Sequence, residues 1–310
     1  MRRQRQRQKR KRTLLRVIGI VCLILFLTLG GLIYYAWHTF SKSIDSMHNP
    51  LDRDSELREE DVSLSSGDPF SVLLLGVDKR EGDSGRSDTM IVLTVNANTN
   101  KIEMVSIPRD TRTEIIGHGT TDKINHAYAF GGVEMSMDTV ENLLEIPIDY
   151  YVEVNMDSFK DIIDTLDGVT VENNLDFTYD GVHFPIGTLT LSGEDALKYS
   201  RMRYEDPNGD FGRQKRQRQI IEAVINKGAS FSSLTRFNDI LDTIGNNIST
   251  NLSFKEMMSI HKNYKSAVNN IEDATLQGSG TKIGGVYYYI PNEEHLSEVK
   301  ANLKEQLEIK

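Results

Sequence analysis

The feature that most constrains this chain is an uncharged run from Val17 to Trp37, directly after a basic N-terminus. As a helix with a rise of about 1.5 Å per residue, the run would be about 31 Å long, which matches a hydrocarbon core of about 30 Å. Tyr34, Tyr35 and Trp37 close it, as aromatic side chains do at a membrane interface. No A-x-A-like cleavage site follows. The pattern therefore predicts an uncleaved transmembrane signal-anchor at 17–37.

Charge predicts the orientation of this anchor. Residues 1–16 hold nine of the 36 Lys and Arg and no acidic residue, so 27 basic residues stand against 45 acidic ones from residue 17 onward, a net charge of −18. By the positive-inside rule, 1–16 is a cytoplasmic tail and the rest is extracytoplasmic, as in a single-pass type II protein of the cell membrane. An acidic exported domain is a poor ligand for nucleic acid, and we expect none as a partner.

The exported part divides by composition and periodicity. Residues 38–69 are polar and acidic, and we predict an extended linker that holds the domain off the membrane. Strand and helix patterns then alternate from 70 to 228 in a predicted catalytic core, and 229–310 adds helices and a strand to the same domain. Alternation of this kind favours an α/β sandwich around one sheet. Cys22 is the single cysteine, which excludes an intramolecular disulfide.

Three successive predicted strands carry charged residues at their ends. Asp78 ends the first strand, Arg86 and Asp88 begin the second, and Arg109 with Asp110 ends the third. If neighbouring strands pair, these side chains share one edge of the sheet. Carboxylates beside arginines suit a Mg²⁺ ion that bridges phosphate oxygens, although ordinary strand-end salt bridges would give the same pattern.

A second concentration of charge lies between Tyr199 and Ile221. Its cations are Arg201, Arg203, Arg213, Lys215, Arg216 and Arg218. A planar guanidinium fits phosphate oxygens, whereas a solvated, salt-bridged helix face is the plainer interpretation of such a run.

Helical phase distinguishes among these cations. For a helix from Phe211 to Lys227 that ends at Gly228, one stripe holds Arg213, Arg216 and Gln217 and continues into apolar residues. We therefore predict that this stripe faces the protein body or a cleft and not bulk water.

The other two cations of the predicted helix, Lys215 and Arg218, fall off that stripe, and we expect them to be solvated. Arg201 and Arg203 would share one face of an extended segment.

Other motifs add little. There is no phosphate-binding P-loop, GxGxxG, HExxH or GxSxG sequence. Lys123, in a polar and aromatic turn, could reach a phosphate.

Several motifs in this order resemble the LytR-CpsA-Psr family of Gram-positive bacteria. They are GVDKR, RSDTMIVLTVN, MVSIPRDT, KINHAYAFGG, LSGEDALKYSRMR and DFGRQKRQRQII. The resemblance implies an αβα sandwich with a central mixed sheet and an apolar tunnel for a polyprenyl chain. It also implies an extracytoplasmic phosphotransferase that moves a glycopolymer-1-phosphate, such as wall teichoic acid, from undecaprenyl pyrophosphate to peptidoglycan through a phosphodiester.

Matched to the family's motifs, Asp78 and Asp88 correspond to the carboxylates associated with Mg²⁺, for which Mn²⁺ is an alternative. The residues around the pyrophosphate correspond to Arg86, Arg109, Arg201, Arg203, Arg213, Arg216 and Gln217, to which we add Lys123.

We predict direct catalytic roles for Arg86, Arg109, Asp88 and Asp110, with Asp88, Asp110 and Asp210 as candidate general bases. Three alternative functions remain. A non-catalytic receptor for polyprenyl phosphate would use the same arginines without needing Asp78 and Asp88. The others are a membrane-anchored transcriptional attenuator or regulator and a pyrophosphatase that releases the polymer to water.

Overall fold

The computed structural model describes residues 47–53, 55–58, 60–78, 85–230 and 248–309. Six of its strands form one mixed sheet. They are β1 (Phe70–Asp78), β2 (Arg86–Asn96), β3 (Lys101–Ile107), β6 (Tyr150–Asn155), β11 (Ile248–Thr250) and β12 (Ile271–Thr275). The strand order is β11-β6-β1-β2-β3-β12, with β1 antiparallel to β2 and parallel to β6.

Helices and small hairpins surround this sheet. The helices are α1 (His126–Leu144), α2 (Met156–Thr165), α3 (Gly193–Arg201), α4 (Asp210–Ser230), α5 (Phe254–Asn263) and α6 (Glu293–Gln306), with a 3-10 turn at Lys265–Asn269. The two-stranded pairs are β4 (Arg112–Ile115) with β5 (Thr120–Lys123), β7 (Val169–Asn173) with β10 (Gly187–Leu191), β8 (Phe177–Tyr179) with β9 (Val182–Phe184), and β13 (Gly278–Ile283) with β14 (Val286–Pro291).

Strand β1 shows why the central run of the sequence is almost continuously apolar. Leu73 and Leu75 pack on one face of the sheet in a core with residues of α1 and α6. Val72 and Leu74 pack on the other face with residues of α4 and α5. A strand covered on both faces by helices needs apolar side chains at successive positions. The predicted sandwich around a mixed sheet is confirmed.

The segment before β1 is not an extended linker. Met47 and Leu64 are each 3% exposed. Arg53 lies 2.6 Å from Glu141 of α1, and Arg58 lies 2.7 Å from Asp149. From residue 47 onward the predicted linker is therefore part of the folded domain.

The predicted membrane anchor at 17–37 lies outside the described residues. Within those residues, no helix is both long and apolar enough to cross a bilayer.

Helix α4 differs from the prediction in two ways. It continues through Gly228 to Ser230 instead of ending there. Arg218, which was expected in solvent, is buried with its side chain 9% exposed. Its guanidinium donates to the Asp273 carboxylate at 2.7 Å and also bonds hydroxyls of β3 and β12. Arg218 does point away from the stripe of Arg213 and Arg216, as helical phase predicts. On that side of the helix, however, it meets the edge of the sheet and not solvent. Lys215 is exposed, as expected.

We predict that Arg218→Ala destabilises the domain, because it leaves the buried Ser106 hydroxyl without its charged partner. Asp273 is half exposed and can be solvated, so the expected loss is about 1–3 kcal/mol of unfolding free energy. Urea denaturation measures it.

Lys215→Ala on the same helix is the control and should stay within about 0.5 kcal/mol of wild type. Equal stabilities for the two variants would contradict this account of Arg218.

Candidate active site

A pair of opposite charges links the ends of β2 and β3. An Nη of Arg109 donates to Oδ1 of Asp88 at 2.8 Å. Asp88 is the extra residue of a β-bulge, because Gly76 pairs with Thr89 whereas Val77 pairs with Ser87. Bulges commonly redirect a side chain beside a functional site. The sequence prediction that these strand ends share one edge of the sheet is confirmed for Asp88 and Arg109.

The first turn of α4 brings two more arginines to the same place. Arg213 lies 2.8 Å from Asp210, and Arg203 lies 3.7 Å from the same carboxylate oxygen. Burial, together with repulsion from Arg109 and Arg203, lowers the pKa of Arg213, although Asp210 and Asp88 act in the opposite direction. Nε of Arg213 is buried and makes no hydrogen bond with the described residues.

Arg109, Arg203 and Arg213 form what we call the arginine cluster. Asp88 and Asp210 are the carboxylates closest to it. Asp110, 3.8 Å from Arg109, is itself paired with Lys123, so the cluster keeps an excess of positive charge. Cations held together at the cost of mutual repulsion, with one buried donor unpaired, suit an anion with several oxygens. The arrangement fits a phosphate or a diphosphate.

Asp110 and Lys123 lie at the margin of the cluster. Nζ of Lys123 is 2.7 Å from Oδ1 of Asp110, and the other oxygen of Asp110 is 3.8 Å from Nε of Arg109. Both side chains are partly exposed. The structure therefore places the predicted Lys123 next to the arginine cluster, where it is already paired with a carboxylate.

A large apolar cavity opens beside the cluster, between the sheet and helices α2, α3 and α4. Its volume is about 370 Å³. A second apolar cavity of about 330 Å³ reaches toward α5, and the two share Leu74, Leu93, Val152 and Ile225 as lining residues. The shared residues place the two cavities side by side, and we call the pair the tunnel. Each volume falls within the range of known ligand pockets.

Two polar side chains form the boundary between the tunnel and the arginine cluster. Nε2 of Gln217 donates to Oγ1 of Thr89 at 3.0 Å. Both residues line the tunnel and also a small polar pocket that contains Asp88, Arg109 and Arg213. Thr89 lies against Gly76, where an added Cβ would approach the Thr89 Cβ to 2.9 Å. An apolar chain and a charged group joined end to end would therefore fit across this boundary.

The alternation in burial around Met202 is as predicted, but the extended segment is not, because Arg201 is the last residue of helix α3. Met202 is buried, whereas Arg201 and Arg203 are both exposed. Arg203 belongs to the arginine cluster, and Arg201 lines the tunnel.

Arg86 is exposed at the start of β2, paired in register with Asp78 at the end of β1. Both lie at the same end of the β1–β2 hairpin as Asp88. The structure thus brings the predicted strand-end residues to one end of the sheet.

Arg216 requires a correction. Its side chain is 5% exposed and forms a salt bridge with Asp206, which is 4% exposed. It also donates to the carbonyls of Tyr199 and Met202, at the end of α3. The predicted contact with pyrophosphate is therefore wrong for this residue. Arg216 instead holds the segment that carries Arg201 and Arg203.

Sequence reasoning missed Thr89 and Asp206. Thr89 carries no charge and sits within a strand, so only its pairing with Gln217 shows its position. Asp206 is one of several acids in a charged loop, and its burial could not be read from composition. The glycine at position 212 was the one sequence signal for this burial. A Cβ there would lie 1.8 Å from an Asp206 oxygen, so a glycine is needed to leave room for that carboxylate.

The fold and this site define a protein with a cluster of arginines at the mouth of an apolar tunnel. The chain belongs to the LytR_cpsA_psr family, whose model matches residues 34–305. It is 52% identical, over 99% of its length and 100% of the relative, to the polyisoprenyl-teichoic acid–peptidoglycan teichoic acid transferase TagU of Bacillus subtilis strain 168.

Solved structures show the same fold. The crystal structure of B. subtilis TagU is 53% identical, with a TM-score of 0.64 over 78% of this chain and 98% of that one. TagT bound to LIIa-WTA is 36% identical, with a TM-score of 0.74 over 84% and 100%. A protein of Enterococcus faecalis described as a transcriptional regulator is 41% identical, with a TM-score of 0.74 over 80% and 91%.

Proposed function

We propose that this protein is an extracytoplasmic phosphotransferase. It moves a teichoic acid-type glycopolymer, with its linking phosphate, from a polyprenyl pyrophosphate carrier to peptidoglycan. The observation that carries the proposal is the junction at Thr89 and Gln217, where an apolar tunnel meets an arginine cluster. Few ligand classes combine a long apolar chain with a diphosphate. The relatives named TagU, which are transferases of teichoic acid to peptidoglycan, support the same substrates.

In this mechanism the tunnel holds the prenyl chain and the arginine cluster binds the diphosphate. A hydroxyl of the acceptor attacks the phosphorus that carries the glycopolymer. The new P–O bond forms as the bond to the bridging oxygen breaks, and polyprenyl phosphate leaves. Negative charge grows on that bridging oxygen, where fixed guanidinium groups stabilise it.

The acceptor's proton passes to a carboxylate. The candidates are Asp88, Asp110 and Asp210, each of which is paired with an arginine or lysine. A loose phosphoryl-transfer transition state requires little base assistance, since the nucleophile bonds late. Charge stabilisation by the arginine cluster is therefore the larger contribution.

Arg109→Ala and Arg203→Ala should each slow polymer transfer by on the order of 10²-fold, by analogy with the loss of one anion-stabilising donor. The measurement is transfer from a polyprenyl pyrophosphate-linked donor to peptidoglycan by the full chain. Lys215→Ala, which removes an exposed cation outside the cluster, should transfer at the wild-type rate. Wild-type rates in both cluster variants would refute the proposal.

A magnesium site fits the two aspartates at the end of the β1–β2 hairpin. No group of three or more His, Cys, Asp or Glu is gathered for a metal within the described part of the chain. Mg²⁺ commonly takes only one or two carboxylates and completes its shell with water and substrate phosphates. Asp78 and Asp88 would hold the ion, which would neutralise charge on the diphosphate; Mn²⁺ suits the same oxygen donors.

For the metal, we expect Asp88→Asn to weaken Mn²⁺ binding at least tenfold when inorganic pyrophosphate is present. Electron paramagnetic resonance of free Mn²⁺ measures this without any turnover. The control is Asp195→Asn, a partly exposed aspartate in the first turn of α3. Undiminished Mn²⁺ binding by Asp88→Asn would exclude this site.

The membrane anchor is part of the proposal. Met47 packs with Ile162, Val224 and Ile248, which line the tunnel. Nine residues, 38–46, separate Met47 from the predicted span, and at full extension they reach about 30 Å. An anchor at 17–37 would thus keep the tunnel near the bilayer that holds the polyprenyl carrier.

The alternative of a transcriptional regulator has one comparison in its favour, the E. faecalis protein described in that way. A net charge of −18 beyond residue 16 argues against binding to DNA, because phosphate neutralisation supplies most of that affinity. A non-catalytic receptor would need the arginine cluster but no reaction with an acceptor. Measured transfer of polymer to peptidoglycan distinguishes the proposed phosphotransferase from a non-catalytic receptor.

A further inference from the structure

We propose that the acceptor glycan strand binds on an aromatic surface beyond the arginine cluster. This inference rests on the proposed function and assigns a binding site to its second substrate. The surface consists of two aromatic groups with polar residues between them, and we call it the acceptor surface. Its residues are Arg112, His118, Asp122, His126, Phe130 and Tyr288.

One end of the acceptor surface is an exposed pair of stacked rings. The rings of His118 and Phe130 lie 4.0 Å apart at an angle of 9°. Phe130 is 44% exposed although it is fully apolar. It is followed by Gly131 and Gly132, whose backbone angles are not helical, so the chain turns just after the ring. A flat exposed pair of this kind gives a sugar ring an apolar face to pack on.

The other end carries hydrogen-bonding groups around Tyr288. The Tyr288 hydroxyl donates to Oδ1 of Asp122 at 3.2 Å, and Nδ1 of His126 lies 2.8 Å from Oδ2 of the same carboxylate. The Arg112 guanidinium lies 5.8 Å from the centre of the Tyr288 ring. The rings of His126 and Phe130 also meet edge to face, with their centres 5.9 Å apart. Contacts are therefore continuous from the stacked rings to Tyr288, and these groups can bind sugar hydroxyls and amides.

The acceptor surface adjoins the arginine cluster. Asp122 is followed by Lys123, which is paired with Asp110, and Asp110 directly follows Arg109 of the cluster. The backbone N–H of Tyr289 also donates to the carbonyl of Asp110 at 2.8 Å, which fixes β14 beside this loop. A glycan on the surface could therefore place one hydroxyl at the diphosphate.

Geometry favours the acceptor over the donor polymer as the occupant. In an in-line displacement, the nucleophile enters opposite the leaving group. The leaving polyprenyl phosphate is held on the tunnel side, at Thr89 and Gln217. The acceptor surface begins at Asp122, next to the pair of Lys123 and Asp110 that lies beyond Arg109, and none of its residues lines the tunnel.

Charge leads to the same conclusion. On the acceptor surface, Arg112 and the adjoining Lys123 offset Asp122 and the adjoining Asp110, so it offers little net attraction to a polyanion. The exposed cations Arg201 and Arg203 lie at the tunnel mouth and suit the phosphate-rich donor better. A glycan of neutral sugars fits the acceptor surface.

The test is a comparison of kinetic constants in the full chain reconstituted in lipid nanodiscs. Phe130→Ala and Tyr288→Ala should each raise KM for uncrosslinked glycan strands about five- to tenfold. KM for the polyprenyl pyrophosphate-linked donor should not change. Tyr287→Ala is the control, because Tyr287 is about as exposed as Phe130, at 45% against 44%, and alternates to the face of β14 opposite Tyr288.

A binding measurement separates this proposal from the proposed function. Saturation-transfer NMR with a soluble N-acetylated tetrasaccharide of the glycan strand should show binding to wild type and Tyr287→Ala, and weak or no binding to Phe130→Ala. If wild type binds the tetrasaccharide but never transfers polymer, the acceptor surface stands and the proposed transferase fails. A raised donor KM, or unchanged acceptor KM and binding in both test variants, would overturn the acceptor surface.

Discussion

The rest of the site depends on the crowding of three guanidinium groups around two carboxylates at the end of the sheet. Burial lowers the pKa of Arg213, and repulsion from Arg109 and Arg203 adds to this effect. A multivalent anion such as the proposed diphosphate would relieve that repulsion on binding. The bulge at Asp88 and the first turn of α4 are what bring the charges together.

A second, buried ion pair keeps that arrangement in place. Arg216 and Asp206 are almost fully buried, and Arg216 also lies over the rings of Phe177 and Tyr199. Through bonds to two carbonyls at the end of α3, it fixes the short segment that exposes Arg203. A buried ion pair is weak evidence for stability, but it is well suited to specifying one geometry. An arginine that makes no contact with the proposed substrate thus holds the segment that carries Arg203.

The sequence allowed much of this to be predicted, and the errors have a common physical cause. The continuous apolar run of β1, the strand-end charges and the alternation around Met202 each depend on local periodicity, which is visible in one chain. The predicted surroundings of Arg216 and Arg218 were wrong, because helical phase gives the direction of a side chain but not the residue that it meets. For Arg216 the neighbour is Asp206, and for Arg218 it is Asp273, 55 residues away in sequence. The tunnel arises from several elements and leaves no local pattern.

The central claim is that one ligand occupies both the tunnel and the arginine cluster. Calorimetric titration with pyrophosphate esters of increasing prenyl length tests it most directly, starting from inorganic pyrophosphate. The account predicts that affinity rises with each added isoprene unit, by about 25 cal/mol per Å² of apolar surface buried, until the tunnel is full, and then becomes constant. An affinity independent of prenyl length would contradict it, because the diphosphate would then bind without the tunnel.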